Sequence, residues 1–374
     1  MANINLPEKK RIKQISDGKK PAPLLKVALI GCGRIGWMLE DDPLRVKPAT
    51  HAGGFSNHPK TKITSACDIN KTRLHQFGER YGIDSNSLYT DFRKLLEYEN
   101  PDIVSIAAWT EHHCEMVIES AKNKNVKGIY CEKPISLTLK EAERMNAACK
   151  KRGIPLVIGH ERRFDSNFVK IKKMIDDEVF GKLRTIVAHT LSSQVPKLPV
   201  SKFAGGTLFH DGTHLFDLVL YFGGAADYVV GFDERDFGRK YIESTAVGFI
   251  KLKNGVNVLF EGGGRRKYFK FDLDMQFERG RILIGNSGIH LFGSKKSRHY
   301  TGFFELEPIP YKEPKNRKNA FVVAVDEIVK SIKNGHVPKS SGEEGKNSLE
   351  LILSIYKSAS KGGKKVKIGG KNRG

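Results

Sequence analysis

The hydrophobic pattern changes character about midway along the chain. In the first half, short apolar runs, such as residues 27–30 and the segment that follows Asp102 up to residue 108, alternate with amphipathic helical patterns such as residues 110–122. Runs of this kind are typical of parallel strands that are covered on both faces. Their alternation with helices indicates an α/β domain built on a parallel sheet. A further helix start is marked by the capping box of Thr138 and Glu141.

The second half shows a hydrophobic period of two. Residues 183–190 and 269–277 alternate between the two faces of a strand, and residues 247–252 and 256–260 are two further strand segments. The dipeptide Asn254-Gly255 is a hairpin turn signal between two of these segments. Strands with one apolar and one polar face predict an open, mainly antiparallel sheet. Helical patterns near residues 319–333 and 348–361 complete this half.

Three spaced glycines follow the first apolar run. Gly31 lets the chain turn out of the strand, Gly33 lets the backbone approach a pyrophosphate, and Gly36 allows the next helix to pack closely on the sheet. The phosphates would lie on the free N–H groups at the helix start. The motif alone is a weak signal, but a strand before it and a helix after it favour a dinucleotide-binding turn.

The second apolar strand, residues 62–68, ends in Asp68. A carboxylate at this place accepts hydrogen bonds from the ribose hydroxyls and repels a 2′-phosphate, which favours NAD over NADP. The alternative role for Asp68 is to cap the helix that starts near Asn70. The separation of Asp68 from Gly36 exceeds the usual ~20 residues. The excess predicts an insertion over residues 40–48.

Another strand, residues 128–131, brings Glu132 and Lys133 to the same edge of the sheet. Pro134 disfavours helical backbone at Lys133, so the lysine is expected to stay extended at the strand end. A lysine there could reach the nicotinamide end of the cofactor. The alternative is a surface lysine beside a turn.

His210 and His214 form a second candidate group. Four residues separate them, so in a helix they would share one face. The same spacing would suit a metal pair, but the sequence offers no third ligand motif nearby, and no metal is expected.

Composition narrows the possible partners. The net charge is +22, and about half of this excess lies in residues 1–25 and 356–374. The excess favours solubility first and attraction of an anionic substrate second. Nucleic-acid binding is not expected, because no recognition motif accompanies the charge.

Cysteine usage and hydropathy bear on location. Five cysteines lie in the first half without a Cys-x-x-Cys pair, and they are expected to be free thiols in a reducing compartment. No apolar run reaches the ~18 residues of a membrane span, and the N-terminus lacks the apolar core of a signal peptide. A soluble cytoplasmic protein without membrane contact is expected.

Several motifs, in order and spacing, resemble the glucose–fructose oxidoreductase/inositol dehydrogenase (Gfo/Idh/MocA) family over roughly residues 25–360. They are Gly31-x-Gly33-x-x-Gly36, the strand end at Asp68, Trp109-Thr-Glu-His-His113, Glu132-Lys133-Pro134 and Gly159-His-Glu-Arg-Arg163-Phe. The resemblance implies that Lys133 lies beside the nicotinamide and the substrate, and that His214 is catalytic. His210 occupies the position of the family's aspartate and Asp211 is one step along, so either could replace that carboxylate.

The resemblance also implies a set of contacts. The expected cofactor contacts are Gly31, Cys32, Gly33, Arg34, Ile35, Gly36, Asp68, Ile69, Ala108, Trp109, His113, Glu132 and Lys133. The expected substrate contacts are Lys133, Arg163, His210 and His214, with Asp211 as a further catalytic candidate. Ala108-Trp109 stands where the family usually has Thr-Pro, so the wall near the nicotinamide is expected to differ in shape.

The function implied is NAD-dependent oxidation of a secondary hydroxyl, or the reverse reduction, on a sugar, cyclitol or sugar nucleotide. His214 would take the hydroxyl proton, and Lys133 would stabilise the oxygen. One alternative is an NAD-dependent glycosidase that oxidises its substrate transiently. Another is a non-catalytic NAD-binding sensor or scaffold subunit.

The expected organisation is an α/β protein with an N-terminal Rossmann domain and a C-terminal α/β domain. Its parts are a basic flexible arm over residues 1–23, the NAD-binding domain over 24–160, the substrate-binding and oligomerisation domain over 161–360 and a basic tail over 361–374. The resemblance implies that the second domain covers the nicotinamide and that its sheet forms a homodimer or homotetramer. Loops around residues 192–204 are expected to set substrate specificity.

Overall fold

A computed structural model describes residues 23–192 and 206–369 of the protein. The first part is a six-stranded parallel sheet in the order β3-β2-β1-β4-β5-β6. Its strands are β1 (Leu25–Ile30), β2 (Thr61–Cys67), β3 (Leu88–Tyr89), β4 (Ile103–Ile106), β5 (Gly128–Cys131) and β6 (Leu156–Ile158). This order is that of the Rossmann fold, as predicted.

Five helices alternate with these strands. They are α1 (His51–Ser56), α2 (Lys71–Tyr81), α3 (Phe92–Glu99), α4 (Thr110–Lys122) and α5 (Leu139–Arg152). Local capping explains several of their starts. The side chain of Asn70 caps α2, and the capping box of Thr138 and Glu141 is formed at the start of α5. Because each cap lies next to its helix in sequence, these starts can be found without tertiary information.

The helix expected after Gly36 is interrupted. A single turn is followed by a 3₁₀ helix, Met38–Asp41, and α1 begins only at His51. The backbone N–H of His51 donates to the carbonyl of Ile35 at 3.1 Å, and that of Ala52 donates to the carbonyl of Gly36 at 2.9 Å. Residues 38–50 therefore form an excursion from a helix that resumes where it was left, and the predicted insertion 40–48 lies inside it.

The second part is a nine-stranded sheet in the order β14-β13-β12-β11-β7-β10-β9-β8-β15. Its strands are β7 (Leu183–Leu191), β8 (Ala226–Glu234), β9 (Thr245–Leu252), β10 (Asn257–Gly263), β11 (Lys270–Phe277), β12 (Gly280–Gly285), β13 (Gly288–Lys296), β14 (Phe304–Ile309) and β15 (Val366–Lys367). Only β7 and β10 pair in parallel among these described strands, so the sheet is mainly antiparallel, as predicted.

Five further helices accompany this sheet. They are α6 (Ser166–Asp176), α7 (Thr207–His210), α8 (Gly212–Gly223), α9 (Ala320–Asn334) and α10 (Gly342–Ala359). Helices α8 and α10 contact the sheet, and α10 also contacts α5 of the first part. The segment of α9 was expected to belong to the second part, but its apolar face packs elsewhere. Ala324, Val325 and Ile328 are buried in one core cluster with Val27 and Leu29 of β1.

The other face of the nine-stranded sheet lacks a helical cover in the described part of the chain. Paired strands place a row of side chains across it, namely Leu283, Asp274, Val187, Leu259, Phe249 and Val230. Leu259 is 49% exposed, Val247 is 41% exposed and Phe232 is 51% exposed. This open face is apolar over β8, β9 and β10, whereas β11 presents Asp272, Asp274 and Gln276 there.

Some predictions fall on residues outside the described ranges. The basic arm is described only at residue 23, the specificity loop only at residue 192, and the basic tail only as far as residue 369. Part of that tail differs from expectation, because β15 pairs with β8 and Val366 is 9% exposed. Within the described ranges, no helix combines the length and the apolar composition needed to cross a membrane.

Candidate functional site

The glycine turn joins β1 to the interrupted helix and is shaped by close backbone contacts. Gly31 has a φ of +98°, and a Cβ atom there would lie 2.5 Å from the carbonyl oxygen of Ala107. A Cβ at Gly36 would lie 2.2 Å from the carbonyl oxygen of Gly31. A Cβ at Gly33 would meet nothing within 4 Å. Gly31 and Gly36 are thus required by the fold itself, whereas Gly33 borders open space.

Asp68 lies at the end of β2 and reaches back to this turn. Its Oδ2 accepts a hydrogen bond from the backbone N–H of Cys32 at 2.8 Å. Its Oδ1 accepts from the backbone N–H of Asn70 at 2.7 Å and from Arg73 Nη2 at 3.2 Å. The side chain of Asp68 is only 6% exposed, whereas the neighbouring Ile69 is 87% exposed. The N-cap of α2 is Asn70, so Asp68 is not the capping residue and instead fixes the turn.

The fourth strand end is held by His113. Its Nδ1 lies 3.0 Å from the carbonyl oxygen of Pro134, and its Nε2 lies 3.0 Å from that of Ala108. The ring is fully buried, so this geometry favours a role in joining two loops over the direct cofactor contact that was expected. Trp109 starts α4 beside it, with its side chain 66% exposed.

Glu132 and Lys133 follow β5, as expected. Glu132 is buried, and its Oε1 lies 3.2 Å from His51 Nε2, while His51 Nδ1 lies 2.9 Å from Ser105 Oγ. Glu132 Oε2 also accepts from the backbone N–H of Lys133 at 2.9 Å. Burial by itself would raise the pKa of Glu132, but the hydrogen bond from His51 and the charge of Lys133 outweigh burial and lower the pKa. Glu132 is therefore held as an anion behind Lys133, and this geometry favours support of the lysine.

Lys133 connects the two parts of the site. Its Nζ donates to the backbone carbonyl of His210 at 3.2 Å. That carbonyl is four residues before His214, and the charge of Lys133 contributes to the low pKa of His214. The lysine from the first sheet and the histidine from α8 therefore meet in one place.

The two histidines of the candidate pair lie in different surroundings. His210 ends α7 and is exposed, whereas His214 lies inside α8 and is buried. The two histidines therefore belong to different helices, which meet at the single turn residue Asp211. Asp211 is also exposed. No group of three metal-binding side chains is found in residues 23–192 and 206–369.

His214 is strongly affected by its environment. Burial lowers the pKa of His214 well below its ordinary value, and the positive charges of Lys133 and Arg162 act in the same direction. Its Nδ1 is buried without a hydrogen-bond partner among the described residues, and Glu161 Oε2 lies 3.8 Å away. His160 packs against it, with ring centroids 6.0 Å apart.

Arg163 was expected to contact substrate, but its guanidinium is occupied by the protein. Nε donates to Asp217 Oδ2 at 2.8 Å, Nη1 to the carbonyl of Lys339 at 2.8 Å and Nη2 to Glu344 Oε2 at 2.8 Å. Arg163 is 3% exposed and Asp217 is 1% exposed. This arginine ties the end of β6 to α8 and α10, so it is a structural clamp between the two parts of the chain.

Sequence reasoning did not identify His51 or Glu161 as members of the site. His51 lies beyond the insertion and reaches Glu132 only through the fold. Glu161 was within a quoted motif, but nothing local indicated that its carboxylate faces His214. A buried pair of this kind has no sequence signal, because the partners come from separate elements.

Two family models cover most of the chain. Residues 25–160 match the model described as "Oxidoreductase family, NAD-binding Rossmann fold", and residues 172–368 match "Oxidoreductase family, C-terminal alpha/beta domain". The chain therefore belongs to the Gfo/Idh/MocA oxidoreductase family, which confirms the resemblance.

Named relatives agree with this assignment. The chain is 28% identical over 348 residues to myo-inositol 2-dehydrogenase of Thermotoga maritima, a match that covers 89% of this chain and 96% of that protein. It is 24% identical to scyllo-inositol 2-dehydrogenase (NAD(+)) of Bacillus subtilis, over 89% and 94% of the two chains. The fold resembles that of the WlbA dehydrogenase from Bordetella pertussis, solved with NADH and UDP-GlcNAcA, with a TM-score of 0.75, 18% identity and coverage of 94% and 100%.

The protein is an NAD-dependent oxidoreductase, and the turn after β1 fits that cofactor. The open space at Gly33 would admit a pyrophosphate close to the backbone of the turn. Asp68 would face the ribose from the end of β2. When bound, NAD supplies the hydride acceptor, and the protein's own groups must handle the proton and the oxygen charge.

Proposed function

We propose that the enzyme oxidises a secondary hydroxyl of a sugar, cyclitol or sugar nucleotide, or catalyses the reverse reduction. This proposal rests on one observation, which is that Lys133 and the buried His214 lie close together. Lys133 follows β5 of the first sheet, whereas His214 lies in α8 of the second part. Two relatives are named as inositol dehydrogenases, and a structural neighbour was solved with a sugar nucleotide, which supports this substrate class.

The two side chains divide the chemistry of the hydroxyl group. His214 accepts the hydroxyl proton, which a largely neutral imidazole can do at physiological pH. Lys133 donates a hydrogen bond to the same oxygen and stabilises the negative charge that develops on it. Glu132 holds the backbone of Lys133 by accepting a hydrogen bond from its N–H group, and the negative charge of Glu132 favours the cationic form of the lysine.

The basic composition of the chain supports an anionic substrate. The net charge of +22 would raise the local concentration of a phosphorylated sugar or a sugar nucleotide near the protein. We further propose a cytoplasmic location, supported by five cysteines that are all free and buried.

Replacement of Lys133 or His214 by alanine tests the assignment. NAD binding should stay within a few-fold of wild type, while turnover falls by about 10²–10⁴-fold, because general acid–base groups contribute on this scale. NADH formation would be followed by absorbance over a panel of cyclitols, sugar phosphates and nucleotide sugars, and NAD affinity by calorimetry.

Two results would contradict the proposal. One is a His214→Ala variant that keeps more than about a tenth of wild-type turnover with an unchanged pH profile. The other is release of an aglycone from a glycoside without net NADH formation, which would favour the transient-oxidation glycosidase.

A further inference from the structure

The unpartnered ring nitrogen of His214 needs explanation. The side chain is 10% exposed, and its Nδ1 has no hydrogen-bond partner among the described residues. A buried imidazole N–H without a partner is costly, since the lost hydration is not replaced. In a proton acceptor, the nitrogen that faces away from the substrate sets the tautomer of the one that faces it.

Three carboxylates near His214 could serve as its partner. Asp217 is already engaged by Arg163 and Ser348, and its Oδ1 lies 3.2 Å from His160 Nδ1. Asp211 is exposed at the junction of α7 and α8. Glu161 remains, with its Oε2 3.8 Å from Nδ1 and its side chain 24% exposed. Rotation of a glutamate side chain could close that gap to a hydrogen bond.

We propose that Glu161 is the positioning carboxylate of His214, taking the place that the family's aspartate would occupy on the helix of the histidine. This inference rests on the proposed function and names the group that sets the basicity of its proton acceptor. Glu161 comes from the short 3₁₀ helix Glu161–Phe164 after β6, so the pair joins two elements that are distant in sequence.

The proton step then balances without a transfer to Glu161. The substrate O–H bond breaks as an N–H bond forms at His214 Nε2. Nδ1–H donates to Glu161 Oε2 throughout, which keeps Nε2 free to accept and stabilises the imidazolium that results. NAD, when bound, would supply the acceptor for the hydride of the carbinol carbon, and the carboxylate of Glu161 neither gains nor loses a proton.

The charges around the pair make such a partner necessary. His214 faces Lys133, Arg162 and His160, and none of these favours the imidazolium. Glu161 is itself faced by Arg162, Glu132 and Lys133, and burial raises the pKa of its carboxyl group. An anionic Glu161 beside Nδ1 would counter the two cations and restore basicity to the histidine.

The effect of Glu161→Gln on the pH profile has a definite sign. The active form has a neutral His214, so activity is lost as pH falls through the pKa of His214. A carboxylate partner raises that pKa, and its removal lowers it. The acid limb of kcat/KM should therefore move to lower pH, while the plateau falls by about 10–100-fold and NAD affinity is retained. Misfolding would lower activity at all pH values without moving the limb.

Three variants distinguish the pair of Glu161 and His214 from the alternative explanations. Glu161→Asp keeps the charge on a shorter side chain and should hold the limb closer to its wild-type position than Glu161→Gln does. Asp211→Asn removes the competing carboxylate and should leave the limb in place. Glu97→Gln makes the same chemical change at an exposed position on α3 and controls for general effects on the protein.

A measurement without turnover makes the test independent of the substrate. Nitrogen-15 spectra of the NAD-bound protein, compared with those of a His214→Gln variant, identify the His214 ring and report its tautomer and pKa. The proposal predicts an Nδ1–H tautomer in wild type and a lower His214 pKa in Glu161→Gln. An unchanged His214 pKa in Glu161→Gln, or a shift in Asp211→Asn in its place, would overturn it. If no polyol is oxidised by wild type, the proposed function fails, but the spectra still decide whether Glu161 and His214 are paired.

Discussion

At the scale of single residues, the three glycines of the first turn meet different demands. Gly31 and Gly36 are needed because backbone atoms approach within 2.5 Å and 2.2 Å of where their side chains would begin. Gly33 meets no protein atom within 4 Å. The fold therefore requires the outer two glycines, whereas contacts within the described protein do not require the middle one.

Alanine substitutions should separate these two demands. Gly33→Ala is expected to leave the unfolding free energy within about 0.5 kcal/mol of wild type and to weaken NAD binding about tenfold or more, roughly 1.4 kcal/mol. Gly31→Ala should destabilise by about 1–3 kcal/mol, because its φ is +98° and its Cβ would clash with Ala107. Denaturant unfolding and NAD calorimetry measure the two quantities. Equal losses of stability in both variants would contradict this division.

Asp68 should govern the choice between NAD and NADP. Asp68→Ser removes the negative charge that would face a 2′-phosphate, so the preference for NAD in kcat/KM should fall by about tenfold. Because Asp68 also holds Cys32 and Asn70, the serine variant should lose some stability. Asp68→Asn removes the charge at nearly constant size and keeps one of the two acceptor oxygens, so it loses less support than the serine variant. A wild-type enzyme that used both cofactors equally well would refute this role.

The sequence shows reactive residues more readily than their neighbours. Lys133 could be recognised because its motif places it at the end of a strand, and His214 because its motif places it in a helix. Substrate contact was expected for Arg163, and nothing in the sequence indicated its partners Asp217 and Glu344, because they come from other elements. For the same reason the approach of Glu161 to His214 could be seen only in the folded chain.

At the scale of elements, the Arg163 clamp joins β6 to α8 and α10. Its three hydrogen bonds all lie at 2.8 Å, and its ion pair with Asp217 is almost completely buried. Breaking a buried pair leaves an uncompensated charge and typically costs about 3–5 kcal/mol. The clamp therefore stabilises the junction of the two parts.

Arg163→Leu should lower the unfolding free energy by about 3–5 kcal/mol. Lys173→Leu is the matched control, because its ion pair with Asp177 has side chains that are 74% and 51% exposed. The control should leave stability almost unchanged. Urea unfolding compares the two. Normal stability of Arg163→Leu with a raised substrate KM would restore the substrate-binding role.

Elements with a local signal were predictable. The bounds of α4 and β5 agree with the predicted segments, and the capping box fixed the start of α5. The packing of α9 against β1 could not be predicted. Its amphipathic pattern shows that one face of the helix is buried, but it does not show which sheet covers that face. The break between α7 and α8 also escaped prediction, since no proline or glycine run marks it.

At the scale of the whole molecule, the open face of the nine-stranded sheet carries exposed apolar side chains, among them Leu259, Val247 and Phe232. Val187, Leu259 and Phe249 lie side by side on three neighbouring strands. Exposed apolar patches on sheets are typical of protein interfaces. The hydrophobic periods predicted one parallel sheet and one mainly antiparallel sheet. They did not predict the order or the register of the strands, because these depend on contacts between distant segments.

The wild-type protein is expected to be a homodimer or homotetramer at micromolar concentration through this face. Leu259→Lys should shift it toward monomer, because a buried ammonium group without a partner opposes association. Leu44→Lys is the control, since Leu44 is 93% exposed in the insertion. Light scattering on a sizing column gives the mass of each. A monomeric wild type with NAD bound would contradict the assembly.

The excursion at residues 38–50 is a segment whose length could change during evolution. Its two ends meet across hydrogen bonds from His51 and Ala52 to the turn before it, and Thr50 at its end caps α1, so the helix resumes in register after it. Loop closure becomes only about 0.6 kcal/mol harder for each doubling of length. Evolution could therefore lengthen, shorten or exchange this segment with little penalty, and a peptide epitope or dye grafted at Leu44 would report on the protein from a naturally permissive position.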